Sequence, residues 1–344
     1  MKAIDFFCGA GGVTCGFIQA GIKVLGGIDI DFACKDTYEK NNKTKFVHKD
    51  IRDLKITSLR QEFGIYLKDD GLIFIGCSPC QYYTNLKTNK SKSKEGRMLI
   101  EDFQDYIDYY KPGYIFIENV PGFEKNSKSP LFKFKQFLSS NSYYFIDKVI
   151  NAKYFGIPQN RRRYILLASR VTDSILIPKE NKDDIKTVKN AIGDINVFKP
   201  IIDGHIDQSG YQHSAAKLTK INFARIKNTP KNGGDRRHWK NQSNLQLKCY
   251  KNHTGHYDVY GRMSWNKPAP TITTRFRYTS NGRYGHPEQD RAISIREGAT
   301  LQSFPLNYYF YSMSLDSIAR MIGNAVPPEL ARRIGITFLE INKQ

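Results

Sequence analysis

The run Gly76-Cys77-Ser78-Pro79-Cys80-Gln81 follows Leu72-Ile73-Phe74-Ile75, an apolar stretch that reads as a buried strand. A thiol just past such a strand sits where an open α/β sheet gathers its chemistry, outside the carboxyl ends of its strands. Pro79 has a fixed φ and so presents Cys80 from a stiff turn. Cys80 is read as a nucleophile, which requires thiolate character at the moment of attack. Other roles compete. Cys77-x-x-Cys80 has the spacing of a redox pair or half a zinc site, and either thiol could be buried filling. A zinc site lacks partners, because Cys8, Cys15 and Cys34 form no second C-x-x-C and Cys249 is remote. A thioredoxin-like unit is far shorter and has no use for the groups described next.

Asp5-Phe6-Phe7-Cys8-Gly9-Ala10-Gly11-Gly12 is a glycine-rich turn between a strand and a helix. Such turns let backbone approach a ligand closely. A dinucleotide fingerprint would place a further glycine at position 14, where this chain has Thr14. Asp29 ends the next strand, where a ribose hydroxyl partner belongs, and Asp50 follows the third strand, in reach of an adenine amino group. The set suits an adenosine ligand without a pyrophosphate, such as S-adenosylmethionine; the bland alternative is a tight strand–helix turn. Glu118-Asn119 follows the strand Tyr114–Ile117, and its bland alternative is a capping or lysine-paired carboxylate. Gln159-Asn160-Arg161-Arg162-Arg163-Tyr164 leads into the last strand. If extended, it puts Arg161 and Arg163 on one face toward the site and Arg162 on the other.

These groups need elements to hold them. Strands are expected at Lys2–Phe7, Lys23–Asp29, Lys45–His48, Leu72–Gly76, Tyr114–Ile117, Tyr143–Ile150 and Tyr164–Ser169, with helices to Ala20 and at Phe32–Asn41, Arg97–Tyr110 and Lys133–Ser139. That alternation predicts an α/β, doubly wound, mostly parallel sheet. The glycine loop, Cys80 and Glu118 would then share its carboxyl edge. From Arg170 to about Gly285 the alternation fades into Gly, Pro, Asn, Lys and Arg with scattered aromatics. Helices return at Ile295–Phe304, Leu315–Ile322 and Pro327–Ile341. The 344 residues suit two domains or one with a large insertion. The net charge of +20, from 53 basic and 33 acidic residues, attracts polyanions, nucleic acid first; a Lys- and Asn-rich composition is the competing explanation. No apolar run approaches the ~18 residues of a membrane span. The opening residues go straight into a strand and the cysteines form no disulfide framework, so a cytoplasmic, bacterial setting is expected.

In their order, Phe7-x-Gly-x-Gly-Gly, Ser78-Pro79-Cys80-Gln81, Glu118-Asn119-Val120, Gln159-x-Arg161-x-Arg163, Arg296-Glu297-Gly298-Ala299-Thr300-Leu301-Gln302 and Gly323-Asn324-Ala325-Val326-Pro327-Pro328 resemble the motifs of DNA (cytosine-5) methyltransferases. The resemblance covers about 1–170 and 285–344. It implies a catalytic, S-adenosylmethionine-binding domain of the methyltransferase type over 1–170 plus 310–344. A smaller irregular target-recognition domain with its hinge would span 171–309, inserted before the C-terminal helix, which returns to the sheet. It implies Cys80 as nucleophile, with Gln81, Glu118, Asn119, Arg161 and Arg163 completing the catalytic set. Glu118 and Asn119 would hold the base edge, and Arg163 its O2 carbonyl. Phe7 would lie on the adenine, Asp29 take the ribose, Asp50 and Ile51 frame the adenine, and Asn324 close the methionine side. Gly9, Ala10, Gly11, Gly12, Ile30, Pro79, Met98 and Ala325 complete the cofactor contacts, with S-adenosylhomocysteine as product and no metal. Two departures stand out: Asp29 where Glu is frequent, and Thr84 where Ser is more usual. Arg225, Lys231, Arg236, Arg237, Arg275 and Arg277 are expected to contact duplex DNA. The implied partner is a cognate restriction endonuclease acting separately, with the chain itself a monomer off the membrane. A tRNA cytosine-5 methyltransferase and a catalytically dead DNA-binding regulator are the alternatives.

Overall fold

The computed structural model describes residues 1–78, 90–123, 130–239, 241–247, 255 and 257–343, with the side chains of 90–98 and 123 excepted. Contacts divide the chain into two compact units, one of 1–151, 162–180 and 326–344, the other of 152–161 and 181–325.

The first unit is built on strands β1 (Lys2–Phe6), β2 (Lys23–Asp29), β3 (Lys45–His48), β4 (Leu72–Gly76), β5 (Tyr114–Asn119), β6 (Tyr144–Asn151) and β8 (Arg162–Ser169). They form one sheet in the order β3-β2-β1-β4-β5-β8-β6. β1 to β5 pair in parallel, whereas β8 runs antiparallel to both β5 and β6. Every residue of β4 and β5 is buried, as expected of strands covered on both faces. On one face α4 (Lys90–Tyr110) lays Phe103 and Tyr106 against Phe6, with ring centroids 5.1 and 5.3 Å apart. Each such ring contributes about 1.5–3 kcal/mol by burial. The other face carries α1 (Gly12–Ala20) and α10 (Pro328–Ile341), through Phe17 on Phe116 and Phe338 on Tyr114. The C-terminal helix therefore does return to the sheet. α2 (Lys35–Asn42), entered through a 3-10 turn at Phe32–Cys34, and α5 (Pro130–Ser140) complete this unit with α3 (Ser58–Phe63).

Some expected bounds shift. α4 starts at Lys90 rather than Arg97, because its first turns are lysine-rich and carry no apolar period. α3 was not expected, being too short for a periodicity to register.

The second unit has little regular structure: β7 (Gln159–Asn160) pairs with β9 (Ala269–Pro270), and α6 (Val188–Ile192), α7 (Lys220–Lys227), α8 (Ile295–Leu301) and α9 (Leu315–Asn324) are short. Its loops leave many carbonyls without ladder partners, and buried arginines supply the donors. Arg262 donates to the carbonyls of Ile226, Thr229, His286 and Gln289. Arg296 donates to those of Tyr211 and Tyr308. Trp239, Leu245 and Tyr260 form a small apolar cluster.

Candidate active site

The sheet order reverses between β1 and β4, and ligands of open α/β sheets bind outside the carboxyl ends at such a switch point. The turn after β1 lies there, as do Cys77 and Ser78 directly after β4. In the turn, Phe7 has φ +60°, Gly9 +49° and Gly11 +85°. An aromatic residue in the left-handed region is an outlier of the kind concentrated at functional sites. Gly9 N–H donates to Asp29 Oδ2 at 2.7 Å, and Asp31 N–H donates to Asp29 Oδ1 at 2.8 Å. Burial raises the Asp29 carboxyl above its usual range, with these donors opposing. A Cβ on Gly9 would meet nothing within 4 Å, so the turn is open on that side. Ile30 and Phe32, just beyond Asp29, are 62% and 60% exposed. An anchored carboxylate, an open glycine turn and two exposed apolar side chains fit an adenosine with a ribose diol. Ala10 and Gly12 are buried in the turn and the helix start. Asp50 lies against Arg52, whose hydrogen bonds hold its carboxyl below the usual range. Ile51 is 5% exposed and packs in the core, its carbonyl accepting from Tyr106 Oη.

Asp5, on β1, was not singled out from the sequence. Its Oδ2 accepts from Thr14 Oγ1 at 2.7 Å, and that hydroxyl also meets Tyr38 Oη at 3.0 Å. Oδ1 is buried with no hydrogen bond among the described residues. Desolvation pushes this carboxyl up to about 7, with Thr14 opposing and the Asp29 charge adding. A polar residue inside an otherwise apolar strand was the available signal.

Pro79, Cys80, Gln81 and Thr84 lie outside the described residues, as does the side chain of Met98, whose backbone is in α4. Cys77 and Ser78 follow β4. Desolvation raises the Cys77 thiol well above its usual range, helped by the charges of Glu118 and Asp5.

Glu118 and Asn119 end β5, one strand over from β4. Both are buried. Arg163 Nε on β8 lies 2.7 Å from Glu118 Oε1 as an ion pair. That oxygen accepts no hydrogen bond among the described residues. Asn119 Oδ1 accepts from the Val120 N–H. Arg162 is exposed. Arg161 is 2% exposed and donates to the carbonyls of Ile272, Gly323 and Ala325. Beside it, Gln159 Nε2 donates to Gln302 Oε1, and Gln302 Nε2 donates to the Ile322 and Ala325 carbonyls. This network ties three sequence motifs together and was not foreseen. Their order in the chain was visible, but not that their side chains hold one another's backbone. Asn324, at the end of α9, is exposed.

Among the residues expected at DNA, Lys231 and Arg275 are exposed. Arg236 lies over the Tyr257 ring and donates to the Gly255 carbonyl, and Arg277 pairs with Asp316. Arg237 pairs with Asp235 and is largely exposed. Arg225 is a correction. It is 8% exposed, stacks over Tyr260 and donates to the Leu245 carbonyl, so it fills the interior of the second unit. No helix among the described residues is long and apolar enough to cross a membrane.

The family model described as "C-5 cytosine-specific DNA methylase" matches residues 1–339. Type II methylase M.HgiDII of Herpetosiphon aurantiacus is 38% identical over 96% of this chain and 93% of its own length. Type II methyltransferase M1.HphI of Haemophilus parahaemolyticus is 30% identical over 98% and 87%. Among solved structures, the Entamoeba histolytica methyltransferase EhMeth superposes with a TM-score of 0.68 at 17% identity, covering 100% of this chain and 99% of its own; that likeness bears on the fold, which is the one used by S-adenosylmethionine-dependent methyltransferases. With the family matched over nearly the whole length, the chain belongs to the C-5 cytosine-specific DNA methylases and is a DNA (cytosine-5)-methyltransferase.

Proposed function

We propose that this enzyme methylates C5 of one cytosine within a specific duplex DNA sequence, using S-adenosylmethionine and releasing S-adenosylhomocysteine. We further assign it as the modification enzyme of a restriction–modification system, a cytoplasmic monomer acting apart from its endonuclease. Residues 1–170 and 310–344 carry catalysis, and 171–309 read the target. The observation that carries this reading is the Glu118–Arg163 pair: a buried carboxylate oxygen 2.7 Å from Arg163 Nε that accepts no other hydrogen bond among the described residues, at the end of the strand next to β4, whose C-terminal end leads in sequence to Cys80.

Cytosine C5 is a weak nucleophile. Addition of the Cys80 thiolate to C6 pushes the ring electrons toward C5 and divides one hard step into easier ones. Glu118 carries or shares a proton at N3, which neutralises the ring as the thiolate adds. Asn119 and Arg163 hold the base edge and the O2 carbonyl, and Gln81, next to the nucleophile in sequence, completes the catalytic set. Bound S-adenosylmethionine supplies an electrophilic methyl group to C5. Loss of the C5 proton then expels Cys80 and restores the aromatic ring. C6 is out of reach in a stacked duplex, so the base is flipped out at a cost of a few kcal/mol, offset by phosphate contacts from the basic second unit. Phe7, Gly9 and Asp29 hold the adenosine.

The test is transfer of labelled methyl to duplex DNA and to tRNA, with Cys80→Ser as control. Label is expected in duplex DNA alone, and none with Cys80→Ser. No transfer to DNA would sink the function, and undiminished transfer by Cys80→Ser would sink the covalent mechanism.

A further inference from the structure

Arg237 differs from the other arginines of the second unit. Buried Arg161, Arg225, Arg262 and Arg296 donate to backbone carbonyls. Arg237 holds its guanidinium on a carboxylate and turns the rest outward. Its Nε donates to Asp235 Oδ1 at 2.9 Å and its Nη2 to Oδ2 at 2.6 Å, while the Arg237 N–H donates to the same Oδ1. Its guanidinium also lies 4.9 Å from the centroid of the Tyr257 ring. Asp235 is itself fixed. Its side chain is 2% exposed, and Arg283, anchored on the carbonyls of Gly233 and Gly234, reaches its Oδ2. The 3-10 turn carrying Arg237 ends at Trp239, buried in the apolar cluster with its indole N–H on Thr229.

The Nε/Nη2 edge of Arg237 is therefore occupied, and the Nη1/Nη2 edge is left. Nη1 has no hydrogen-bond partner among the described residues, and the side chain is 57% exposed. Two parallel donors on a planar, pre-oriented fork match the O6 and N7 acceptors of guanine in the major groove; adenine offers N7 beside a donor, and cytosine a donor.

We propose that Arg237 reads a guanine of the target sequence through its Nη1/Nη2 edge and that Asp235 is its positioning residue. This rests on the duplex-DNA function proposed above and adds which residue reads which base.

The test is methyl transfer by the purified enzyme to a random duplex library, with methylated sites sequenced after bisulfite treatment. The wild type is expected to require guanine at one position that Arg237→Ala and Arg237→Lys accept as other bases, discrimination there falling about tenfold or more. Asp235→Asn relaxes the same position by a smaller factor, a shift that lost stability alone would not produce. Placing 7-deazaguanine at that position removes N7; it should slow the wild type and leave Arg237→Ala unaffected. The proposal is overturned if the variants weaken methylation equally at all sites with the sequence preference intact, which is the mark of a phosphate contact. It is equally overturned if 7-deazaguanine at every guanine of the site leaves the wild type unchanged. A wild type that methylates no DNA removes this assignment together with the function, a result distinct from an active enzyme with unaltered preference.

Discussion

Glu118 and Arg161 are both buried charged residues in sequence motifs, yet their surroundings assign them different work. Glu118 Oε1 is held by Arg163 at 2.7 Å and accepts no other hydrogen bond among the described residues. Arg161 is engaged with three carbonyls. Glu118→Gln keeps the shape and removes the ionisable group. It should lower the single-turnover methyl-transfer rate about 100- to 10,000-fold with DNA affinity nearly unchanged; a rate within threefold of the wild type would contradict the role at N3. Arg161→Ala takes its donors from the Ile272 and Gly323 carbonyls and leaves the Ala325 carbonyl with Gln302 alone. It should cost about 2–4 kcal/mol of stability, measured by denaturant unfolding, with activity per folded molecule largely kept. A carboxylate closing an apolar strand is an anomaly visible in the sequence, so Glu118 was legible. The task of Arg161 was not: period-two alternation says which way a side chain points, but not that carbonyls more than a hundred residues away lack partners.

At the scale of elements, the strands of the sheet were legible because their runs are fully apolar and end in turn residues. α3 and the start of α4 were not, because neither has an apolar period. The α1–α10 contact shows a further device that composition hides. A Cβ on Gly16 would fall 2.2 Å from the Pro328 carbonyl oxygen and 2.6 Å from Ala331 Cβ. Gly16→Ala must push the two helices apart, for about 1–3 kcal/mol, visible as a melting temperature lowered by several degrees in calorimetry. In the second unit the start of α8 carries a pH response. Ser294 and Glu297 form its capping box, and Arg291 pairs twice with Glu297. His286 Nδ1 accepts from the N–H groups of Glu288 and Gln289, so this nitrogen must be unprotonated. Burial lowers His286 from 6.5 to about 4, with Glu297 opposing and Arg291, Arg262 and His213 adding. Below pH 6.5 the unfolded chain therefore binds a proton that the folded chain refuses. Stability should fall between pH 6.5 and 4, by about 3 kcal/mol from this group. The two tryptophans, Trp239 and Trp265, both lie in the second unit, so their fluorescence during urea unfolding follows the change. His286→Asn should flatten the slope; an unchanged slope would assign it to other groups.

Across the whole molecule, the charge of +20 invites a count of basic residues as phosphate contacts. That count would overshoot, because part of the arginine excess is structural. Arg161, Arg262, Arg291 and Arg296 are almost wholly buried, donating where an irregular unit lacks strand ladders. Composition reports both populations alike; burial separates them. Lys231→Ala and Arg262→Ala should therefore fail in different ways. Lys231 is exposed. Removing it should weaken binding to all duplexes alike and reduce the slope of log K against log salt by about 1, with the melting temperature unchanged. Arg262→Ala removes one buried, charged donor from four carbonyls and from the Asp290 carboxylate, for about 3 kcal/mol. Its salt slope, measured by anisotropy of a labelled duplex below the melting temperature, should match the wild type. A reduced slope for Arg262→Ala with full stability would falsify the division between structural and DNA-facing charge. So would a lowered melting temperature for Lys231→Ala with the slope intact, since an exposed cation that contacts phosphate acts on the bound state and not on the fold.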